Sequence, residues 1–257
     1  GLTIKEALRD SVEPCFKEFF AKEKEVENFL KKIKLDGDTA MSELKGEKLT
    51  SLVSILLLKL IEQNVPNLIA EEIYKKKYYL VKNGIEAEEF VKIVDGCCRM
   101  DREELGFEFC LSSQESMNEA MRIRKEYREN IRREIKRLIS EGAKEMENIQ
   151  YFYTAKPSFG GNLTSICMNY IFNKKKPTLC LSQVGNNLKI SARGTKELVL
   201  MGLNLSDGCR VAASEAKGYG GGHPVAAGAT IPFEMEKKFL DTLNKIVGKQ
   251  IGKNEEI

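Results

Sequence analysis

Lys217-Gly218-Tyr219-Gly220-Gly221-Gly222-His223-Pro224-Val225-Ala226-Ala227-Gly228-Ala229 is the stretch on which the reading of this chain turns. Three consecutive glycines leave the backbone bare and open to φ > 0. A loop of that kind can aim its N–H groups at one point and form an anion-binding nest. His223 follows directly and is the only histidine of the chain. Backbone donors, an imidazole and the nearby Lys217 together suit a phosphate. The small residues from Val225 to Ala229 suit a helix or strand packed closely behind the loop. The plainer alternative is a structural turn, in which the glycines permit tight packing and His223 is a satisfied core residue.

Around this stretch lies a chain of 257 residues, 42% hydrophobic and 31% charged, the balance of a folded protein rather than a disordered one. That length allows one large domain or two ordinary ones. The longest apolar run, Leu52 to Leu60, is broken by Ser54 and Lys59 and falls far short of a membrane span. No signal-peptide pattern follows Gly1, and the chain reads as a piece of something longer. No membrane partner is expected. The net charge is only +3, but from Ala155 onward basic residues outnumber acidic ones by six. A basic C-terminal part fits a phosphate-bearing partner, and ordinary surface variation explains it as well. Seven cysteines, an odd number with no C-x-x-C pair, read as free thiols in a reducing cytoplasm rather than as disulfides or a zinc site.

Residues 1 to about 110 read as helices. Val12, Cys15, Phe16, Phe19 and Phe20 recur at helical spacing, followed by Val26, Phe29, Leu30 and Ile33. Asp36-Gly37-Asp38 is turn chemistry rather than a metal site, because no histidine or further carboxylate motif accompanies it. Lys48 to Ile61 is the most apolar helix, and the pattern resumes from Leu68 to Tyr79 and from Ile85 to Cys98. Lys75-Lys76-Lys77-Tyr78-Tyr79 offers charge and stacking to a nucleic acid, or is simply a solvated helix face. Ser112-Ser113-Gln114-Glu115 is a capping box that opens a long helix running toward Gly142. Met117, Ala120, Met121, Tyr127, Ile131, Ile135 and Leu138 form its apolar stripe. Its many arginines either track a nucleic-acid backbone or belong to a solvated connector with Glu126, Glu129 and Glu134 as partners. From Ile149 the pattern alternates between β and α. Strands are expected at Ile149–Thr154, Thr178–Val184, Leu188–Arg193 and Ala226–Ile231. Helices are expected at Leu163–Phe172, Val199–Ser206, Arg210–Ala216 and Glu234–Val247.

The second informative string is Ile190-Ser191-Ala192-Arg193-Gly194. Alternate residues of a strand share a face, so Ser191 and Arg193 put a hydroxyl and a guanidinium side by side, suited to clamping a phosphate. Gly-Gly-Gly-His-x-x-Ala-Ala-Gly, with a Ser-x-Arg upstream, resembles the DHH-associated domain of the DHH phosphoesterases, a family that includes the RecJ single-strand exonucleases and the small-nucleotide phosphodiesterases. The order of elements matches over residues 150–257, and fewer features carry the likeness over 85–150. Cys97-Cys98-Arg99-Met100 is similar to a short element at the end of the family's catalytic domain, with Cys98 where glycine usually stands. Arg99 either reaches a phosphate or pairs with Asp95 or Glu103. The resemblance implies an α/β fold: a helical region over 1–112 (the end of the catalytic part plus an insertion), a connecting helix over 113–148, and a mixed β-sheet domain flanked by helices over 149–257. The long helical stretch before residue 85 points to the archaeal RecJ-like branch.

The resemblance also implies a phosphate pocket made of Ser191, Arg193, Lys217, Gly220, Gly221, Gly222 and His223, with Arg99 as a further contact. DHH enzymes hydrolyse phosphodiesters with two metal ions, Mn²⁺ or Mg²⁺, held by Asp and His ligands. This chain has no Asp-His-His motif, and its one histidine belongs to the glycine stretch. No catalytic residue, metal or cofactor is therefore expected in it, and the catalytic domain is expected ahead of Gly1 or lacking altogether. Three functions follow. One is the part of a RecJ-like nuclease that holds single-stranded DNA or RNA for a DHH domain in cis. Another is a non-catalytic replication scaffold that binds GINS-type partners. The third is a piece of a nanoRNA or cyclic-dinucleotide phosphodiesterase.

Overall fold

The computed structural model describes residues 2–81, 84–111 and 114–252. In chain order its main elements are α1 (Ile4–Asp10), α2 (Glu23–Lys32), α3 (Gly46–Glu62), α4 (Asn67–Ala70), β1 (Tyr79–Leu80), β2 (Ile85–Glu86), α5 (Ala87–Arg99), α6 (Glu103–Cys110) and α7 (Gln114–Glu141). There follow β3 (Lys144–Glu145), β4 (Gln150–Tyr153), α8 (Gly160–Ile166), β5 (Thr178–Val184), β6 (Asn187–Arg193), α9 (Lys196–Leu200), α10 (Leu205–Glu215), β7 (Tyr219–His223), β8 (Ala226–Pro232) and α11 (Glu236–Gly252). A π-helical turn, Cys167–Ile171, prolongs α8. The fold is α/β. Ser112 and Ser113, the start of the expected capping box, lie outside the described residues.

Packing divides the chain into two units, Gly1–Ile73 with Ile135–Ile257, and Tyr74–Glu134. This division does not follow chain order, because residues 1–73 are tied to the C-terminal sheet domain. Gln63 Nε2 donates to Tyr170 O at 2.6 Å and to Cys15 O at 2.9 Å, and Lys17 Nζ donates to Ile171 O at 3.3 Å. The bonds to Tyr170 O and Ile171 O occupy carbonyls at the end of the α8 π-turn, where a helix leaves acceptors unmet.

In the first unit six strands form one sheet in the order β3-β4-β5-β6-β8-β7. Only β4 and β5 run parallel, across a crossover that contains α8; the other neighbours are antiparallel. One face of the sheet carries Leu179, Leu181, Leu188, Ile190, Ala192, Ala227, Ala229 and Ile231, packed with Leu205, Cys209 and Ala212 of α10 and with Phe239, Leu243 and Val247 of α11. Asn204 caps α10 by accepting from Asp207 N at 3.2 Å, a cap worth about 1 kcal/mol. Over β4 and β5 the second face is also covered. Gln150, Phe152, Thr178, Cys180 and Ser182 are buried there, as are Phe159, Leu163, Ile166 and Cys167 of the crossover. Gln150 is fully buried, and its amide meets Asn173 O at 2.6 Å and Thr178 Oγ1 at 2.9 Å, so the polar group is satisfied.

The second unit is built on Ile93, Cys97, Leu105, Phe109, Ala120 and Ile123. Its β1–β2 hairpin was not expected from the sequence. Lys75, Lys76 and Lys77 precede it and are exposed without being helical, so the solvated-helix reading of that run is corrected. Lys77 instead pairs with Glu86 at 2.8 Å and Glu88 at 3.0 Å. In α7 the stripe holds, except that Met121 is 51% exposed and Ile123 is buried.

Another expectation is corrected near the N-terminus. Val12–Phe20 is not a helix; Pro14 removes a donor there, and turns such as Phe20 N to Phe16 O at 2.8 Å bury Cys15, Phe16, Phe19 and Phe20 instead. The Asp36 to Asp38 segment, by contrast, is the expected turn, with Asp38 N donating to Asp36 Oδ1 at 3.0 Å. The larger correction concerns the glycine stretch. It is not a loop: Tyr219–His223 is β7, the edge strand, and Pro224-Val225 turns it into β8.

Candidate functional site

The strand register places the sequence motifs. Arg193 of β6 lies opposite Ala226 of β8, which lies opposite His223 of β7. Two residues along, Ser191 pairs with Gly228 and Gly228 with Gly221. A third row is Lys189, Thr230 and Tyr219. Because alternate strand residues share a face, these three rows form one surface, opposite the apolar face under α10 and α11. Burial follows the same rule. Along β8, Ala227, Ala229 and Ile231 are buried, whereas Ala226, Gly228, Thr230 and Pro232 are partly exposed. No carboxylate stands in the three rows, although the chain carries 38 Asp and Glu. The surface therefore favours an anion.

The glycines shape this surface in distinct ways. Gly221 and Gly222 have φ +154° and +143°, values closed to other residues. A Cβ on Gly222 would meet Ala226 O at 2.6 Å and Ala227 Cα at 2.7 Å, so that position also needs glycine for space. Gly220 serves the opposite face, where a Cβ would meet Cys209 O of α10 at 2.7 Å. A Cβ on Gly221 would meet nothing within 4 Å. The triplet thus joins both earlier readings: two glycines permit close packing, and the middle one leaves bare backbone on the open face.

His223 is exposed, so it is not a core histidine. Beside Ser191 and Arg193 the structure brings two glycines that stand just ahead of the expected Leu163–Phe172 helix. A Cβ on Gly160 would lie 3.5 Å from Ser191 Oγ, and a Cβ on Gly161 would lie 3.3 Å from Arg193 Nη2. Arg193 Nη1 also donates to Ala192 O at 2.9 Å, which steadies the guanidinium. The available signal was a Gly-Gly pair directly ahead of a helix. Nothing local in the sequence links it to a strand thirty residues on.

Lys217 stands apart from these groups. It follows the C-cap of α10 with φ +56°, and its N–H donates to Ser214 O at 3.1 Å. It precedes Tyr219, and Tyr219 to His223 alone spans about 13 Å at about 3.3 Å per residue. Arg99 lies in the second unit, on α5, where its Nε donates to Asp95 Oδ2 at 2.6 Å. Among the described residues no three His, Cys, Asp or Glu side chains come together to hold a metal ion. The described residues therefore offer no fit for the two-metal centre the resemblance implies. No described helix is long and apolar enough to cross a membrane.

Residues 148–249 match the family model of the DHHA1 domain, the segment that contains every strand of the open face. This segment is a DHHA1 domain. In fold, the likeness to solved structures extends beyond this segment. CDC45 of Entamoeba histolytica matches 96% of this chain with 55% of its own, at 12% identity and a TM-score of 0.54. RecJ of Thermus thermophilus, solved in complex with Mn²⁺, matches 87% with 35% of its own, at 12% identity and a TM-score of 0.52. At such identity these are likenesses of fold. An uncharacterised protein of Methanocaldococcus jannaschii is 35% identical over 147 residues, which is 57% of this chain and 32% of the relative. The chain thus spans about a third of that relative's length.

Proposed function

We propose that the open face of the DHHA1 domain grips the phosphate backbone of a nucleic-acid strand, as the substrate-holding part of a RecJ-like phosphodiesterase. The observation that carries this reading is the convergence of Ser191, Arg193, Gly221 and His223 on one carboxylate-free surface. The hydroxyl, guanidinium and imidazole supply side-chain donors to an oxyanion, and the bare glycine lets a phosphate approach the backbone. Arg193 supplies the charge-assisted contact. Hydrolysis belongs to a DHH domain elsewhere, with Mn²⁺ or Mg²⁺, so the chain alone binds without cutting.

The test is a titration of labelled single-stranded DNA at several salt concentrations. Affinity should fall steeply with salt as phosphates are neutralised and counterions released. Arg193→Ala should weaken binding about ten- to a hundredfold, corresponding to roughly 1.5–3 kcal/mol. His223→Ala should weaken it less, with an unchanged melting temperature, because the side chain is exposed. Wild-type affinity in both variants would remove the reading.

A second reading rests on the CDC45 likeness, which spans nearly the whole chain. In it the chain is a non-catalytic replication scaffold, binding partners of the GINS kind. Tight binding of such a partner, with no affinity for single strands at low salt, is the outcome that selects it.

A further inference from the structure

The three rows of the open face are not equivalent. The first two hold Arg193, His223, Ser191 and Gly221, the groups assigned above to one phosphate. The third holds Lys189, Thr230 and Tyr219, which that assignment leaves unused. Tyr219 is 74% exposed although it sits in a strand of the sheet. Lys189 is exposed too. Among the described residues neither side chain makes a hydrogen bond or an ion pair. On the opposite face the neighbours of Lys189, Leu188 and Ile190, are fully committed to the core. The exposure therefore belongs to one surface, where an aromatic ring and a cation flank Thr230 in the same row.

Distance adds to this. Lys189 and Arg193 are four residues apart on β6, about 13 Å at about 3.3 Å per residue. Charges on one strand of a duplex recur about every 3.4 Å along the helix axis, so the face is longer than one phosphate needs. Its floor between the two cations is Ala226, Gly228 and Thr230 of β8, small enough for a backbone to lie across.

We infer that Lys189 and Tyr219 form a second nucleotide subsite on the DHHA1 domain, where Tyr219 stacks a base and Lys189 neutralises a neighbouring phosphate. This rests on the reading of the face as a phosphate grip and narrows it. The ligand is a single strand of at least two nucleotides with unpaired bases, since a ring can stack only on a base that is free of a duplex. Stacking on an aromatic side chain tolerates any base, so the subsite selects single-strandedness and length rather than sequence.

The experiment uses the full chain with two probes, a fluorescent oligothymidylate of twelve nucleotides read by anisotropy and thymidine 5′-monophosphate read by NMR shift. Tyr219→Ser should weaken the oligonucleotide about tenfold, at the lower end of what a lost base stack costs, and leave the mononucleotide unchanged. Tyr219→Trp should restore the oligonucleotide. Lys189→Gln should reduce the salt dependence of oligonucleotide binding by about one phosphate. Arg193→Ala should weaken both probes. If Arg193→Ala weakens both and Tyr219→Ser weakens neither, the second subsite is wrong and the phosphate grip stands. If Arg193→Ala also changes nothing, the phosphate grip itself is wrong.

Discussion

Strands β5 and β8 lie on either side of β6 in the same sheet, yet they are buried differently. From Thr178 to Ser182 every residue of β5 is buried, on both faces. In β8 burial alternates, with Ala227, Ala229 and Ile231 inside and Ala226, Gly228 and Thr230 partly open. Both strands share the apolar face under α10 and α11. They differ because α8 and its π-turn lie over β5, whereas among the described residues the second face of β8 stays open. A closed half thus carries stability, and the open half is the one for which the phosphate grip is proposed.

The largest expected effect belongs to the closed half. Leu181→Ala removes a fully buried side chain from the core and should cost about 2–5 kcal/mol, measured by urea unfolding. Its affinity for single-stranded DNA per folded molecule should not change. A loss of binding with intact stability would break the division between the halves.

The next effect lies in the edge strand and sharpens the comparison within three residues. Gly222→Ala meets both a forbidden φ and backbone atoms at 2.6 and 2.7 Å. The φ strain alone is worth roughly 1–3 kcal/mol, and the overlap adds to it. Gly221→Ala meets the φ strain only, since a Cβ there is clear of neighbours. It should destabilise less than Gly222→Ala and still weaken binding, because the methyl group takes the space where a phosphate approaches. Equal melting temperatures for the two variants would show that the backbone contacts at Gly222 relax freely.

The smallest effect concerns the end of the α8 π-turn. Burial, aided by the Lys17 charge, pushes the Lys174 ammonium down to about 8, and its Nζ donates to Phe172 O at 2.7 Å. Below that pH the lysine is charged both folded and unfolded, and folding bears the full cost of burying it. As pH rises through about 8 the folded state releases its proton first, while the unfolded chain holds its own until the ordinary value near 10.5. Stability should therefore rise between those limits. Lys174→Met should be more stable at pH 7 and should flatten that rise. A wild-type pH profile in the variant would show that the charge is not buried at a cost.

Much of the sheet domain is legible in the order of residues. Thr178–Val184 is the expected strand to the residue, and β6 and β8 begin or end within a residue of expectation. Hydrophobic alternation in β6 is a local property, and it follows directly from one face being buried. The Ser191 and Arg193 pairing on one side is equally local, since it needs only the strand's period of two. The errors fall where local pattern and distant packing disagree. Val12 to Phe20 has helical spacing, but its aromatic residues reach the core from turns. Met121 lies within the expected stripe of α7, yet Ile123 is the residue that is buried.

By itself the sequence determined β4, β5, β6 and β8, the shared side of Ser191 and Arg193, the phosphate-suited motifs and the likeness to the DHH-associated domain, because each depends on neighbours a few residues apart. Only the tertiary structure decided that the glycine stretch is an edge strand rather than a loop. Extended backbone at φ +154° and +143° is open to glycine alone, and pairing with β8 selects it over any turn. Only the tertiary structure set His223 opposite Ala226 and Arg193 opposite Ala226 in turn, and brought Gly160 and Gly161 against that row. Register and helix placement are fixed by burial against residues far away in the chain. A motif can therefore name the groups, while packing alone determines which of them share a surface.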